Sequence, residues 1–251
     1  MDLQKASMWK RISAGIFDAI LLVMLVAGIA WLLSVACGYD AHQQVWDAAY
    51  TGYEEEYGVT FNITKEAYDA LSDTQRQSYD AAYAALISDE EATYAYNMLA
   101  NLSLLIATGA IAIGILLLEF AVPLLFGNGQ TLGKKIFSLG LMRIDGVKMT
   151  PLQLFVRTLL GKFTLETMIP VYIVVMFIFG TIGILGTVIL AALLLTQLIL
   201  LAVTRENALL HDKLAGTVAV DIASQRIFES AEALLEYQKR IHAEQAARQT
   251  Y

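Results

Sequence analysis

Three polar side chains lie at matching positions within long apolar runs of the sequence. Asp18 follows Arg11 by seven residues near the start of the first run, Glu119 lies seven residues before the end of a later run at Phe126, and Gln197 lies seven residues before Thr204, where the last helix is expected to end. At 1.5 Å per helical residue, all three would lie about 10 Å inside the end of a helix. Glu166 lies somewhat nearer that end on a further helix. Carboxylate and amide oxygens gathered in one layer are suited to holding a proton or Na⁺.

A structural role for the same carboxylates needs no ion. Asp18 and Glu119 would repel each other if both were ionised at one depth, so one would keep a proton unless a cation lay between them. In the structural alternative, Asp18 pairs with Arg11, with Lys10 or with a basic residue of a neighbouring loop. Glu119 would then cap a backbone distortion ahead of Pro123.

The elements that must position these residues are transmembrane helices. Of the 251 residues, 57% are hydrophobic and 16% are charged, against roughly 25% charged in an average soluble domain. Apolar runs at 12–36, 98–126 and 163–203 each exceed the roughly 18 residues that mark a membrane span. The last run is long enough for two spans and has a glycine-rich turn at 180–186. We therefore predict an all-α membrane protein with four transmembrane helices.

The basic residues predict its orientation. Lys and Arg concentrate before the first run and in the loop 127–162, whereas the segment 39–96 holds twelve acidic residues against Lys65 and Arg76. By the positive-inside rule, we expect both termini in the cytoplasm and the acidic segment outside. The net charge of −7 therefore belongs to one external insert and does not indicate a nucleic-acid partner.

A cleaved signal peptide is the alternative interpretation of the first run. A basic start precedes the run, and "SVACGYD" around Cys37 faintly resembles a lipoprotein cleavage site. The run is nevertheless longer than the roughly 7–15 apolar residues of a signal peptide, and it contains Asp18. We therefore expect a helix that stays in the protein. The single cysteine excludes an internal disulfide.

Six segments are expected along the chain. They are the cytoplasmic amino terminus with the first transmembrane helix (1–38), an external helical insert (39–96), the second helix (97–126), a cytoplasmic hairpin with an amphipathic helix (127–162), the third and fourth helices (163–204), and a cytoplasmic strand with an amphipathic helix (205–251).

Local signals support several of these segments. Thr64 is the predicted N-cap of a helix in the insert. The Asp-Gly pair in "LMRIDGVKMT" predicts a β-hairpin, to which "GTVAVDIAS" is a candidate third strand. "PLQLFVRTLLGKF" begins with proline and predicts an interfacial helix that leads into the third span.

Other candidate functional residues lie near the cytoplasmic surface. His211 and Asp212 follow the fourth helix, where we expect them to meet Arg11 as a gate, and His211 is suited to proton transfer near neutral pH. Lys134 and Lys135 in "GNGQTLGKK" are expected to contact anionic lipid, because the spacing does not match a phosphate-binding loop. We find no metal-ligand or nucleophile–base set, so we expect neither an enzyme nor a cofactor, and Na⁺ is the candidate bound ion.

Several of these motifs together resemble a known family. Arg11, Asp18, "GQTLGKKIFSLGLMRIDG" and "HDKLAGTVAV" resemble the RDD family of bacterial integral membrane proteins, which is named for one arginine and two aspartates. The resemblance covers 5–37 and 98–224, and it places the family's arginine at Arg11 and its aspartates at Asp18 and Asp212. It implies a bacterial inner-membrane location and favours transport, since sodium/proton exchange is attributed to some members. The acidic insert is longer than expected for this family.

We therefore expect a small-cation transporter that exchanges Na⁺ for H⁺, with Asp18 and Glu119 holding the proton or cation in turn. Four helices make a narrow bundle, so a homo-oligomer is expected. The alternative is a non-transporting adaptor or scaffold that binds a partner through the external insert or the cytoplasmic tail. A cavity that reaches both carboxylates would favour transport, and a close-packed layer would favour the adaptor.

Overall fold

Four helical stretches of the computed structural model are long and apolar enough to cross a membrane. The structure describes residues 6–127, 129–178, 180–181, 183–204 and 208–249. Within those residues, the candidate spans are Met8–Ala36, Glu90–Phe126, Pro151–Ile178 and Ile184–Val203. The predicted all-α membrane fold with four spans is confirmed.

The segment after the first span is helical, as predicted. The first span, α1 (Met8–Ala36), ends just before Gly38, whose φ of 69° is a value that favours glycine. The helices that follow are α2 (Tyr39–Tyr57), α3 (Lys65–Asp69), α4 (Asp73–Ser88) and α5 (Glu90–Ile115). Thr64 is the N-cap of α3, as predicted, and accepts the N–H of Ala67 at 3.2 Å.

The insert has its own apolar core, which explains many of its tyrosines. The buried residues of this core are Phe61, Ala82, Leu86 and Ala92. Aromatic side chains packed against it include Trp46, Tyr50, Tyr53 and Tyr79. The aromatic residues of this acidic segment therefore stabilise its fold.

Contacts divide the chain into two compact units. One consists of Met1–Val26 and Ala112–Tyr251, and the other of Ala27–Ile111. The second unit contains the insert core. The residues of the candidate site described below all belong to the first unit.

Pro123 distorts the second span beside Glu119. Helix α5 continues into a π-helical segment, π1 (Leu116–Ala121), and then into α6 (Val122–Phe126). Because proline has no backbone N–H, the carbonyl of Glu119 loses the donor that an α-helix would supply. The Thr158 hydroxyl donates to this carbonyl at 3.0 Å. A hydroxyl from the third span thus satisfies the backbone distorted by Pro123.

The third span begins earlier than its apolar run. The loop before it contains α7 (Leu132–Ile136) and β1 (Leu139–Arg143). The span itself is α8 (Pro151–Phe155), the π-helical segment π2 (Val156–Met168) and α9 (Ile169–Ile178). The predicted interfacial helix is therefore continuous with the span.

The faces of this span are arranged for an apolar solvent. Leu152, Phe155 and Leu160 are exposed, whereas Arg157 on the opposite side is buried. An outward apolar face suits lipid, and the polar face points into the protein.

The chain ends with a strand and a helix. The elements are α10 (Ile184–Val203), α11 (Leu210–Ala215), β2 (Thr217–Asp221) and α12 (Ala231–Gln249). Strand β2 pairs antiparallel with β1, with Leu139 opposite Asp221 and Arg143 opposite Thr217.

This pairing differs from the predicted hairpin. The Asp-Gly turn forms, with Gly146 at φ 90° and its N–H donating to Arg143 O at 3.0 Å. Its second arm is only a bridge between Met142 and Lys148. The second strand of the hairpin stops there because Thr150 is the N-cap of α8, where the chain turns into a helix. The main partner of β1 is instead β2, the segment predicted as a third strand.

Candidate functional site

A cavity of about 430 Å³ lies among α1, π1, α7, π2 and α11. Its carboxylates are Asp18, Glu119 and Glu166. Its basic side chains are Arg11, Lys134, Arg157, Lys162 and His211. The remaining lining is mostly aliphatic, so these charges face one another across a partly apolar space. We call this space the charged cavity.

Asp18 binds the start of α7. Its carboxylate accepts the Thr131 hydroxyl at 2.5 Å and the Gly133 backbone N–H at 2.7 Å. Thr131 is also the N-cap of α7 and accepts the N–H of Lys134. An added Cβ at Gly133 would collide with the carbonyl of Ala14 and with the Asp18 carboxylate. Glycine therefore permits the contact that joins the first span to the loop after the second.

Glu119 is buried with one oxygen in an ion pair. The Lys162 ammonium lies 2.6 Å from Oε1. The second oxygen, Oε2, has no hydrogen-bond partner among the described residues, although the residue is only 6% exposed. A buried carboxylate oxygen without a donor is uncommon in proteins and can accept a proton or a cation.

Asp212 receives two arginines. Arg157 donates through Nε and Nη2 to Oδ1 at 3.1 and 2.8 Å, and Arg11 donates through Nη2 to Oδ2 at 3.1 Å. Oδ2 also accepts the N–H of Leu209 at 3.2 Å. Burial opposes ionisation of Asp212, but the charges of Arg157 and Arg11 outweigh it and hold the pKa of this carboxyl well below its usual range.

His211 binds Glu166. The Nδ1 atom lies 2.8 and 2.7 Å from the two Glu166 oxygens, and the backbone N–H of His211 donates to Oε1 at 3.1 Å. Burial, followed by the nearby Arg157 charge, lowers the pKa of His211. Burial thus favours the neutral imidazole, in which Nδ1–H donates to Glu166. Gly161 allows this contact, because a Cβ there would meet the His211 backbone at 2.7 Å.

The two lysines after the second span have different surroundings. We predicted lipid contact for both, but Lys134 lines the charged cavity, and its ammonium lies 3.3 Å from the Thr131 hydroxyl. Burial lowers the pKa of Lys134 to about 7, against the attraction of Glu119 and with the help of the Lys162 and Arg157 charges. Lys135 is exposed, and its ammonium lies 3.8 Å from the centre of the Phe126 ring.

The structure brings three of the four predicted ion-site residues to one cavity, namely Asp18, Glu119 and Glu166. The fourth, Gln197, accepts the backbone N–H of Leu210 at 3.1 Å and so holds the start of α11. The predicted gate residues Arg11 and Asp212 form an ion pair, whereas Asp18 takes no part in it.

Sequence reasoning did not identify the counter-ions. Arg157 and Lys162 lie in the segment that predicts an interfacial helix, and the polar face of such a helix can turn toward water or toward the protein interior. The available signal was their spacing, since Arg157 and Lys162 both lie off the face formed by Leu152 and Phe155. In a span surrounded by lipid, such a face must turn inward.

Comparison with known proteins gives one family. The family model described as the RDD family matches residues 5–216. This range contains every charged residue and the histidine of the charged cavity named above. No curated protein and no solved structure matches the chain.

Proposed function

Because the chain belongs to the RDD family and has four membrane-spanning helices, we propose that this multi-pass membrane protein exchanges a small monovalent cation, Na⁺, for H⁺. The charged cavity is the proposed site of exchange. The proposal places the protein in a bacterial inner membrane with both termini in the cytoplasm, as the distribution of Lys and Arg favours.

The observation that carries this proposal is the unpartnered oxygen of Glu119. Oε2 is buried in a wall of the cavity and has no hydrogen-bond donor among the described residues. Na⁺ is a hard cation that prefers oxygen ligands, and its binding would supply the missing partner. Lys162 occupies only Oε1, so the ion pair and a bound cation are compatible on one carboxylate.

Asp18 has a different role in this proposal. Two protein donors already satisfy its carboxylate, one from Thr131 and one from Gly133. We therefore assign the cation to Glu119 and treat Asp18 as the residue that positions α7 and Lys134 at the cavity.

Transport by purified protein in liposomes tests the proposal. An outward Na⁺ gradient should drive H⁺ uptake, which an entrapped pH-sensitive dye reports. Glu119→Gln keeps the shape of the side chain but removes its charge, and we expect at least about a tenfold loss of the initial rate. Glu229→Gln is the matched control, since Glu229 is 78% exposed and pairs only with Lys148 at the surface. Absence of Na⁺-driven H⁺ movement in the wild type, or full activity in Glu119→Gln, would contradict the proposal.

An adaptor is the second candidate, and the separate packing of Ala27–Ile111 favours it. Tyr83, Tyr94 and Tyr96 in this unit are exposed aromatic residues suited to a protein partner. Substituting the three with serine in the full chain should then abolish crosslinking to a partner in membranes, and the wild type should show no ion exchange. Exchange that survives this triple substitution supports transport instead.

A further inference from the structure

The positive and negative charges of the ionisable groups in and beside the charged cavity are equal in number when every group except His211 is ionised. Among the described residues, the cations are Arg11, Lys134, Arg157 and Lys162. The carboxylates are Asp18, Glu119, Glu166 and the adjoining Asp212. His211 adds no charge, because burial lowers its pKa. Four positive charges thus face four negative charges.

Three of the four cations are held in ion pairs. Arg11 and Arg157 bind Asp212, and Lys162 binds Glu119. Lys134 is different, since no ion pair joins it to a carboxylate of the described residues, and its ammonium donates only to the neutral Thr131 hydroxyl at 3.3 Å. It is therefore the cation whose proton can leave without breaking an ion pair.

Charged groups from several elements face Lys134. They are Asp18 of α1, Glu119 of π1, and Arg157 and Lys162 of π2. Burial lowers the pKa of Lys134 to about 7, so both of its protonation states are accessible near neutral pH.

We propose that Lys134 carries the proton in the exchange, so that the cavity holds either the Lys134 proton or one monovalent cation at Glu119, but not both. This inference rests on the proposed function and assigns its coupling to one residue. Loss of the proton leaves the cavity with one excess negative charge, which a single Na⁺ restores to balance. Occupation by both would leave one excess positive charge among mostly aliphatic walls, which is costly.

The step balances without any covalent change. The Lys134 ammonium releases H⁺ to water and becomes a neutral amine, and one Na⁺ leaves water to bind at Glu119. The reverse step returns both ions. One positive charge enters as one leaves, so exchange is one for one and electroneutral.

Proton release on Na⁺ binding tests this coupling directly. When NaCl is titrated into weakly buffered, detergent-purified wild type at neutral pH, we expect up to about one proton released for each Na⁺ bound, with KCl and choline chloride as comparisons. The Na⁺ affinity should fall about tenfold per pH unit below neutrality, because protons compete for the cavity. This measurement needs no variant, so it does not depend on how substitutions fold.

Substitutions at Lys134 separate charge from proton transfer. Lys134→Gln is neutral at every pH, so it should bind Na⁺ without releasing protons and with an affinity independent of pH. Lys134→Arg is permanently charged, so its Na⁺ affinity should fall by at least about tenfold. Lys135→Gln is the matched control, because the adjacent lysine is exposed, and it should behave as the wild type.

Two results would overturn the inference, and they are distinguishable. If Lys134→Gln still releases about one proton per Na⁺, another group carries the proton, while the proposed exchange stands. If the wild type neither binds Na⁺ nor exchanges it in liposomes, the proposed function fails and the coupling fails with it.

Discussion

Arg157 directs both Nε and Nη2 at one oxygen of Asp212, at 3.1 and 2.8 Å. The Asp212 side chain is completely buried, and Arg11 binds its other oxygen. One carboxylate thus joins α1, the third span and α11. This relationship joins an arginine near the start of the first span to an aspartate after the last span.

Asp212→Asn should strongly destabilise the protein. The substitution leaves two guanidinium groups without their carboxylate, and breaking a buried ion pair costs about 3–5 kcal/mol. Thermal unfolding in detergent, followed by size-exclusion fluorescence, measures the loss. Asp221→Asn is the control, because Asp221 pairs with the half-exposed Lys10, and it should have a much smaller effect. Equal effects at the two sites would contradict the structural role of Asp212.

The difference in stability between the wild type and Asp212→Asn should depend on pH. Its pKa is lowered in the folded protein, so its stabilising contribution is present above the usual titration range of aspartate and is lost as the pH falls through the lowered pKa. The difference in unfolding temperature between wild type and Asp212→Asn should therefore be constant near neutrality and shrink in acid. A difference that grows on acidification would have the wrong sign.

Gly133→Ala should separate α7 from the first span. A Cβ at this position would meet the Ala14 carbonyl and would lie 2.9 Å from the Asp18 carboxylate. Relieving the collision must lengthen the hydrogen bond between Asp18 and the backbone N–H of residue 133, and overpacking of this kind costs about 1–3 kcal/mol. Gly28→Ala in the same first span has no atom within 4 Å of the added carbon, so it should be neutral or slightly stabilising. Detergent unfolding temperatures of the two variants compare them.

Thr158→Val should destabilise the contact between the second and third spans. It removes the hydroxyl that donates to the Glu119 carbonyl, and losing a donor to a buried group costs about 1–3 kcal/mol. Adding Pro123→Ala restores a backbone N–H four residues after Glu119, so the double variant should recover part of the loss. If Pro123→Ala makes the loss larger, the hydroxyl does not replace a missing helical bond.

The fourth span provides a control variant for Thr158→Val. Thr196→Val removes a hydroxyl that donates only to the Ala192 carbonyl of its own helix, at 2.7 Å. Its effect on unfolding should be small, because that carbonyl keeps its intrahelical partner.

Counting residues along the helices predicted that Asp18 and Glu119 lie at the same depth. Asp18 and Glu119 line one cavity, as their equal depth suggested, because a helix advances by a constant rise per residue. Gln197 lies beside the cavity, where it holds the start of α11 and hydrogen-bonds the cavity residue Glu166. Depth is a one-dimensional quantity and does not specify which neighbour a side chain faces.

The hairpin illustrates a second limit. The Asp-Gly pair determines a local turn, and the turn forms. The strand that pairs with β1 lies more than seventy residues later in the chain, and its choice depends on packing that no local signal encodes. Within the loop, the N-cap at Thr150 ends the competing arm.

The sequence by itself determined the four spans, the helical insert and the distribution of charge, because these follow from hydropathy, capping residues and helical periodicity. Only the tertiary structure decided which charged side chains form ion pairs with each other. Arg11 binds Asp212 and not Asp18, Lys162 binds Glu119, and Lys134 turns into the cavity. The physical reason is that a charge removed from water must find its partner in three dimensions, and helix packing brings together residues that are far apart along the chain.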